Sequence, residues 1–150
     1  MNRYFIVANQ TLGGQELAAH IATLQAAGPV TVYLVAPVTD TEGTHQWDYP
    51  PIDRAIPDAH TIARALAEGR LLHELHRLRR LGVDADGEVA DADPVQRVRD
   101  LHAVQPFDEV IVSTLPHRLS RWLRSDLPHR LSRALTVRVT NLESNAGPSI

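Results

Sequence analysis

Hydrophobic residues in this chain alternate between short dense runs and stretches spaced for helices. Residues 3–8 (RYFIVA), 30–36 (VTVYLVA) and 107–113 (FDEVIVS) are compact runs rich in β-branched and aromatic side chains. Runs of that length and composition predict buried strands. After the first run, Gly13 and Gly14 open a segment in which Leu17, Ile21 and Leu24 fall at i, i+4 and i+7, one face of a helix. Gly28 and Pro29 stop it. A longer helix is predicted from Asp58 to Leu81, with Leu71, Leu75 and Leu78 as its inner face. Arg77, Arg79 and Arg80 sit in its last turn, where cations suit the helix dipole, and Gly82 ends it.

The remaining segments are less apolar. Residues 83–90 (VDADGEVA) read as a weak strand whose acidic and glycine positions suit a sheet edge. Asp93-Pro94 is a helix start, with Asp93 as N-cap and Pro94 at the first helical position. Val95, Val98 and Leu101 mark the buried side of that helix. Residues 115–134 are predicted helical with a break, and 135–140 (LTVRVT) as the last strand. Between the second strand and the long helix, residues 37–57 carry Pro37, Pro50, Pro51, Pro57, Trp47 and Tyr49 without periodicity, which predicts a long loop or lid. Strands alternating with helices imply an α/β fold with a parallel sheet covered on both faces.

Composition narrows the function classes. The chain of 150 residues, 43% hydrophobic, fits one domain with a real core. The expected domain is 1–142, with 143–150 as a disordered tail. A net charge of −3 gives no global attraction to nucleic acid or an anionic membrane. No apolar stretch approaches the ~18 residues of a membrane span, and the run after Arg3 is too short for a signal peptide. The expectation is a cytoplasmic protein without nucleic-acid or membrane partners. All 15 basic residues are arginine and cysteine is absent, so thiol chemistry, a Schiff-base lysine and a P-loop lysine are excluded.

The candidate chemistry sits where the first and fourth strands end. Asn9, Gln10 and Thr11 follow one, and Ser113 and Thr114 close the other. Strand ends of this kind line the ligand crevice of an open α/β sheet. Their amide and hydroxyl groups suit a polar ligand. A second feature is the repeat LPHRLSR at 115–121 and 127–133. Its period of 12 turns the copies roughly 120° apart on one helix, so two short helices are expected. Arg118, close after the strand end, is the arginine best placed for an anion.

Other motifs carry less. His73-Glu74-Leu75-His76 has its histidines at i and i+3, whereas a zinc-protease helix needs i and i+4. No G-x-S-x-G elbow supports a serine hydrolase. No catalytic residue or metal ligand is assigned.

Taken together, the element order, the long connection after the second strand, and the segment DADPVQRVRDLHAVQPFDEVIVSTLP resemble the universal stress protein family over roughly residues 3–140. The resemblance implies a doubly wound five-stranded parallel sheet of order 3-2-1-4-5, helices on both faces, and a crevice between strands 1 and 4. It implies an adenine nucleotide such as ATP as the ligand, with Val35 and Ala36 near the adenine. It also implies a homodimer through the edge strand at 135–140. Family members that bind ATP carry G-x2-G-x9-G-[ST] after the fourth strand. The corresponding positions here are Ser113, Pro116, Asp126 and Leu127, and Asn9 stands where the family usually has aspartate. Proline removes an N–H donor, and Asp126 sets a negative charge where phosphate would lie. The expected function is therefore regulatory or stress-associated, with weak or no ATP binding. The first alternative is a nucleotide-binding member that holds phosphate through Ser113, Thr114 and Arg118. The second is a small α/β hydrolase or transferase.

Overall fold

The computed structural model describes residues 2–9, 11–38, 59–90, 94–114 and 127–143. In chain order the elements are β1 (Asn2–Val7), α1 (Gln15–Ala26), β2 (Val30–Pro37), α2 (Ala59–Arg80), β3 (Asp84–Ala90), α3 (Pro94–Val104), β4 (Glu109–Thr114), α4 (Leu127–Ala134) and β5 (Arg138–Glu143). The strands form one sheet in the order β3-β2-β1-β4-β5, and every pair is parallel. This is the doubly wound α/β architecture that the sequence implied.

The period-2 geometry of β1 splits the core in two. Tyr4, Ile6 and Ala8 pack with Leu17 and Ile21 of α1 and with Leu71, Leu75 and Leu78 of α2. Phe5 and Val7 pack on the opposite face with Val98 of α3 and Leu127 and Leu131 of α4. That second face is anchored by aromatics. Phe5 meets Phe107 edge-on, with ring centroids 4.6 Å apart, and lies 5.6 Å from Tyr33. Such pairs add to simple area burial. Tyr33 donates to Glu88 Oε1 at 2.6 Å, and Arg97 of α3 grips the same carboxylate through Nε at 2.5 Å and Nη2 at 2.8 Å. The Arg97 hydrogen bond holds the Glu88 carboxyl below its ordinary pKa against the opposing effect of burial, with Tyr33 adding to the lowering. The cluster joins β2, β3 and α3.

Helix α2 ends as its glycine dictates. Gly82 takes a φ of 86°. Its N–H reaches Arg79 O at 3.1 Å while Val83 N–H reaches Leu78 O at 3.0 Å. These paired bonds satisfy carbonyls that the helix end would orphan.

Several boundaries differ from the sequence reading, two of them for clear packing reasons. The last strand is 138–143, three residues later than 135–140. Leu135 instead continues the helix hydrogen bonding, its N–H on Leu131 O at 3.0 Å, and its side chain is buried. The run LTVRVT alternates like a strand, but its first apolar residue is used to close α4 against the core. The strand runs to Glu143. The fourth strand begins at Glu109 rather than 107, because Phe107 serves as the aromatic anchor before the ladder. The 39–57 part of the predicted lid, Asp93 and the first copy of LPHRLSR lie outside the described residues. No helix among the described residues is long and apolar enough to cross a membrane.

Candidate functional site

In the order β3-β2-β1-β4-β5, the chain leaves β1 toward β2 on one side, and the later strands build outward from β1 on the other. The C-terminal ends of β1 and β4 therefore border the switch point where open sheets take ligands. Five polar side chains are buried among the described residues, and four of them are here: Asn9, Thr11, Ser113 and Thr114. Each is about 1% exposed in a core that is otherwise apolar. Buried polar groups must find partners, and each of these finds one within the protein.

Thr11 Oγ1 and Ser113 Oγ lie 2.8 Å apart, bridging the loop after β1 to the end of β4. Thr11 Oγ1 also donates to Ser113 O at 3.3 Å. Asn9 Nδ2 donates to Pro37 O at 2.7 Å, tying the end of β1 to the end of β2. Thr114 Oγ1 donates to Asn141 Oδ1 at 3.2 Å, tying β4 to β5. Two overlapping turns shape the loop: Leu12 N–H meets Asn9 O at 3.0 Å, and Gly14 N–H meets Thr11 O at 3.1 Å.

Helix α2 supplies three residues that the sequence reading did not single out as site residues. Arg70, Glu74 and Arg77 follow the same i, i+4, i+7 spacing as Leu71, Leu75 and Leu78, one position earlier. One position is a rotation of roughly 100°. The polar stripe thus runs beside the apolar one and meets the loop after β1. Arg70 Nη1 donates to Asn9 Oδ1 at 3.1 Å. Burial pulls the Arg70 pKa down from the ordinary arginine value. Glu74 is fully buried. Its Oε2 accepts the Gly13 N–H, and its Oε1 accepts Arg77 Nε at 2.7 Å. Arg77 Nη2 is 2.5 Å from that same oxygen, an ion-pair contact rather than a second aligned hydrogen bond. Arg77 Nη1 reaches back to Gly13 O at 3.5 Å. The sequence carried no signal that set this stripe apart, since positions 72, 76 and 79, equally one residue off the leucines, are exposed. His73 and His76, flanking Glu74, are exposed, so that tetrapeptide divides between solvent and core.

The predicted site residues separate into groups. Asn9, Thr11, Ser113 and Thr114 come together around the β1 and β4 ends. Val35 and Ala36 lie inside β2, both fully buried, in the packing of opposite sheet faces. Ser113 pairs with Leu142 and Thr114 with Glu143 in the ladder, so both are strand residues rather than loop residues. Leu127, at the last position of the family's glycine motif, is a core residue of α4 at 2% exposure. Gln10, Pro116, Arg118 and Asp126 lie outside the described residues. Among the described residues, no group of three or more His, Asp or Glu side chains is arranged to hold a metal ion.

The arrangement defines an open α/β protein with a buried polar cluster at its topological switch point. Several of the solved structures it resembles are universal stress proteins. A universal stress protein from Archaeoglobus fulgidus matches with a TM-score of 0.54 at 13% identity, over 95% of this chain and 94% of that one. An Arabidopsis thaliana family member with AMP bound matches at 0.57 and 10% identity, over 97% and 94%. The Archaeoglobus protein in complex with dAMP matches at 0.53 and 15%, over 95% and 98%. The chain has the universal stress protein fold. No family model matches its sequence, and no curated protein does.

Proposed function

We propose that the chain is a universal-stress-protein-like regulatory protein whose crevice takes a small polar ligand and holds ATP weakly or not at all. The observation that carries this reading is the internal pairing of the crevice. Asn9, Thr11, Ser113 and Thr114 are buried and bonded within the protein. A nucleotide would have to break these bonds before making its own, and only the difference would appear as affinity. The core position of Leu127 supports it further, since that position offers phosphate neither a hydroxyl nor an open backbone.

Calorimetric titration with Mg-ATP is expected to give nothing tighter than roughly millimolar, about 4 kcal/mol. Micromolar binding would sink the reading. It would promote the alternative in which Ser113, Thr114 and Arg118 hold phosphate. That alternative draws on similar structures whose bound ligands are AMP, dAMP and cAMP, and on the guanidinium that Arg70 brings to Asn9. Whichever small molecule gives a heat, Asn9→Ala and Ser113→Ala should each weaken it while the protein stays folded.

The proposal includes a two-fold dimer through the edge strand expected at 135–140, which is β5 at Arg138–Glu143. This strand ends the sheet and pairs with β4 alone among the described strands. Its outer edge carries backbone groups with no described strand beside them, to which β5 of a second copy can add antiparallel. Light scattering at high micromolar concentration should return twice the 16.6 kDa chain mass. Val139→Asp should separate the subunits. A wild type that runs as a monomer removes the dimer from the proposal.

A further inference from the structure

Glu74 is the one charged side chain among the buried described residues. Two donors from different parts of the chain converge on it: the Gly13 N–H from the loop after β1, and the Arg77 guanidinium one helical turn along α2. Gly13 has a φ of 81°, the left-handed region that glycine adopts without strain. That conformation presents the amide to the carboxylate. A backbone amide and an arginine fork are the groups with which proteins bind carboxylate and phosphate. The loop is thus built as an anion receptor, and its anion comes from the protein itself. The receptor adjoins the crevice, because Gly13 lies two residues past Thr11, the partner of Ser113.

We infer that Glu74 is a specificity-determining residue, an internal anion that closes the Gly13–Arg77 receptor to the phosphate or carboxylate end of a ligand. The inference rests on the crevice reading above and deepens it by naming the ligand class refused at this loop. Glu74 is tethered to α2, so its effective concentration at the receptor is high, and a free anion must compete against it. Nothing comparable opposes an uncharged ligand that contacts only the hydroxyl and amide groups nearby.

The test supplies the missing anion from solution. Glu74→Ala removes a CH2–COO− group, and acetate has that shape and charge. At constant ionic strength in chloride, the variant should melt below the wild type. Acetate and inorganic phosphate should each raise its melting temperature saturably, by about 4 °C at tenfold excess over the dissociation constant. In nitrogen-resolved NMR spectra the Gly13 amide should shift with the same titration. The wild type and the double variant Glu74→Ala with Arg77→Met should not respond. Should Glu74→Ala yield no folded protein in chloride, it is refolded in acetate. Recovery in acetate alone supports the inference, and recovery in neither solution overturns it. A folded variant that ignores both anions also overturns it, while leaving the ATP titration of the wild type to judge the crevice reading separately.

Discussion

Gly87→Val will destabilise the protein by more than about 3 kcal/mol. Gly87 lies in β3 opposite Leu34 of β2. A Cβ at this position would stand 2.5 Å from Leu34 O and 3.0 Å from both Leu34 Cβ and Leu71 Cδ1. The nearest of these atoms is backbone, held in the ladder between two strands, so it cannot swing aside as a side-chain tip can. Relief requires β3 to move away from β2, which strains the hydrogen bonds of both. Overpacking a core usually costs about 1–3 kcal/mol. A clash against backbone belongs at the top of that range for alanine, and beyond it for branched valine. Against a typical total of roughly 5–15 kcal/mol, valine removes a large share. Urea denaturation would show Gly87→Ala well below wild type and Gly87→Val lower still. Asp84→Ala, at an exposed position of the same strand, should change stability by less than about 0.5 kcal/mol. A stable Gly87→Val protein would mean that the β2–β3 spacing yields, contrary to the packing described.

Arg77→Met will cost about 3 kcal/mol. The substitution keeps most of the apolar stem and removes the cation. Glu74, with none of its side chain exposed, would then hold its charge against the Gly13 N–H and no other described donor. Breaking a buried ion pair on one side typically costs roughly 3–5 kcal/mol. The Arg77 side chain is 27% exposed, so water reaches the vacated space and the lower end applies. Adding Glu74→Leu should recover part of the loss, because the uncompensated charge goes with it. Recovery should stay incomplete, since the Gly13 N–H loses its acceptor, a cost of about 1–3 kcal/mol. Chemical denaturation of the wild type, both single variants and the double variant closes the cycle. A coupling near zero would show that Glu74 and Arg77 are held independently.

The legible parts of the sequence were those where burial leaves a pattern. The runs of β1, β2 and β4 are buried on both faces, and β-branched and aromatic residues crowd there because two helical layers cover them. From those runs and the intervening helical spacing, the sheet order followed by resemblance. The edges were harder. β5 carries Asn141 and Glu143, which match no strand pattern, while Leu135 and Val137 mimic one just before it. Edge strands depend on a single neighbour, so their sequence need satisfy only one side. The site was half legible. Asn9, Thr11, Ser113 and Thr114 could be placed because strand ends announce themselves. Arg70, Glu74 and Arg77 could not, because their contacts span 61 to 64 residues of chain. A charged residue on a long helix ordinarily faces water, and only the fold shows which loop arrives to meet it.

The hydroxyl pair of Thr11 and Ser113 has a directional freedom that its 2.8 Å separation conceals. Either oxygen serves as donor to the other, and both protons sit on rotors. In one arrangement Thr11 donates to the Ser113 carbonyl and Ser113 donates to Thr11. In the reverse arrangement Thr11 donates to the Ser113 hydroxyl. Passing between them requires two torsions and no movement of heavy atoms. The junction of β1 and β4 is therefore fastened by a hydrogen bond whose sense can reverse while the backbone stays fixed.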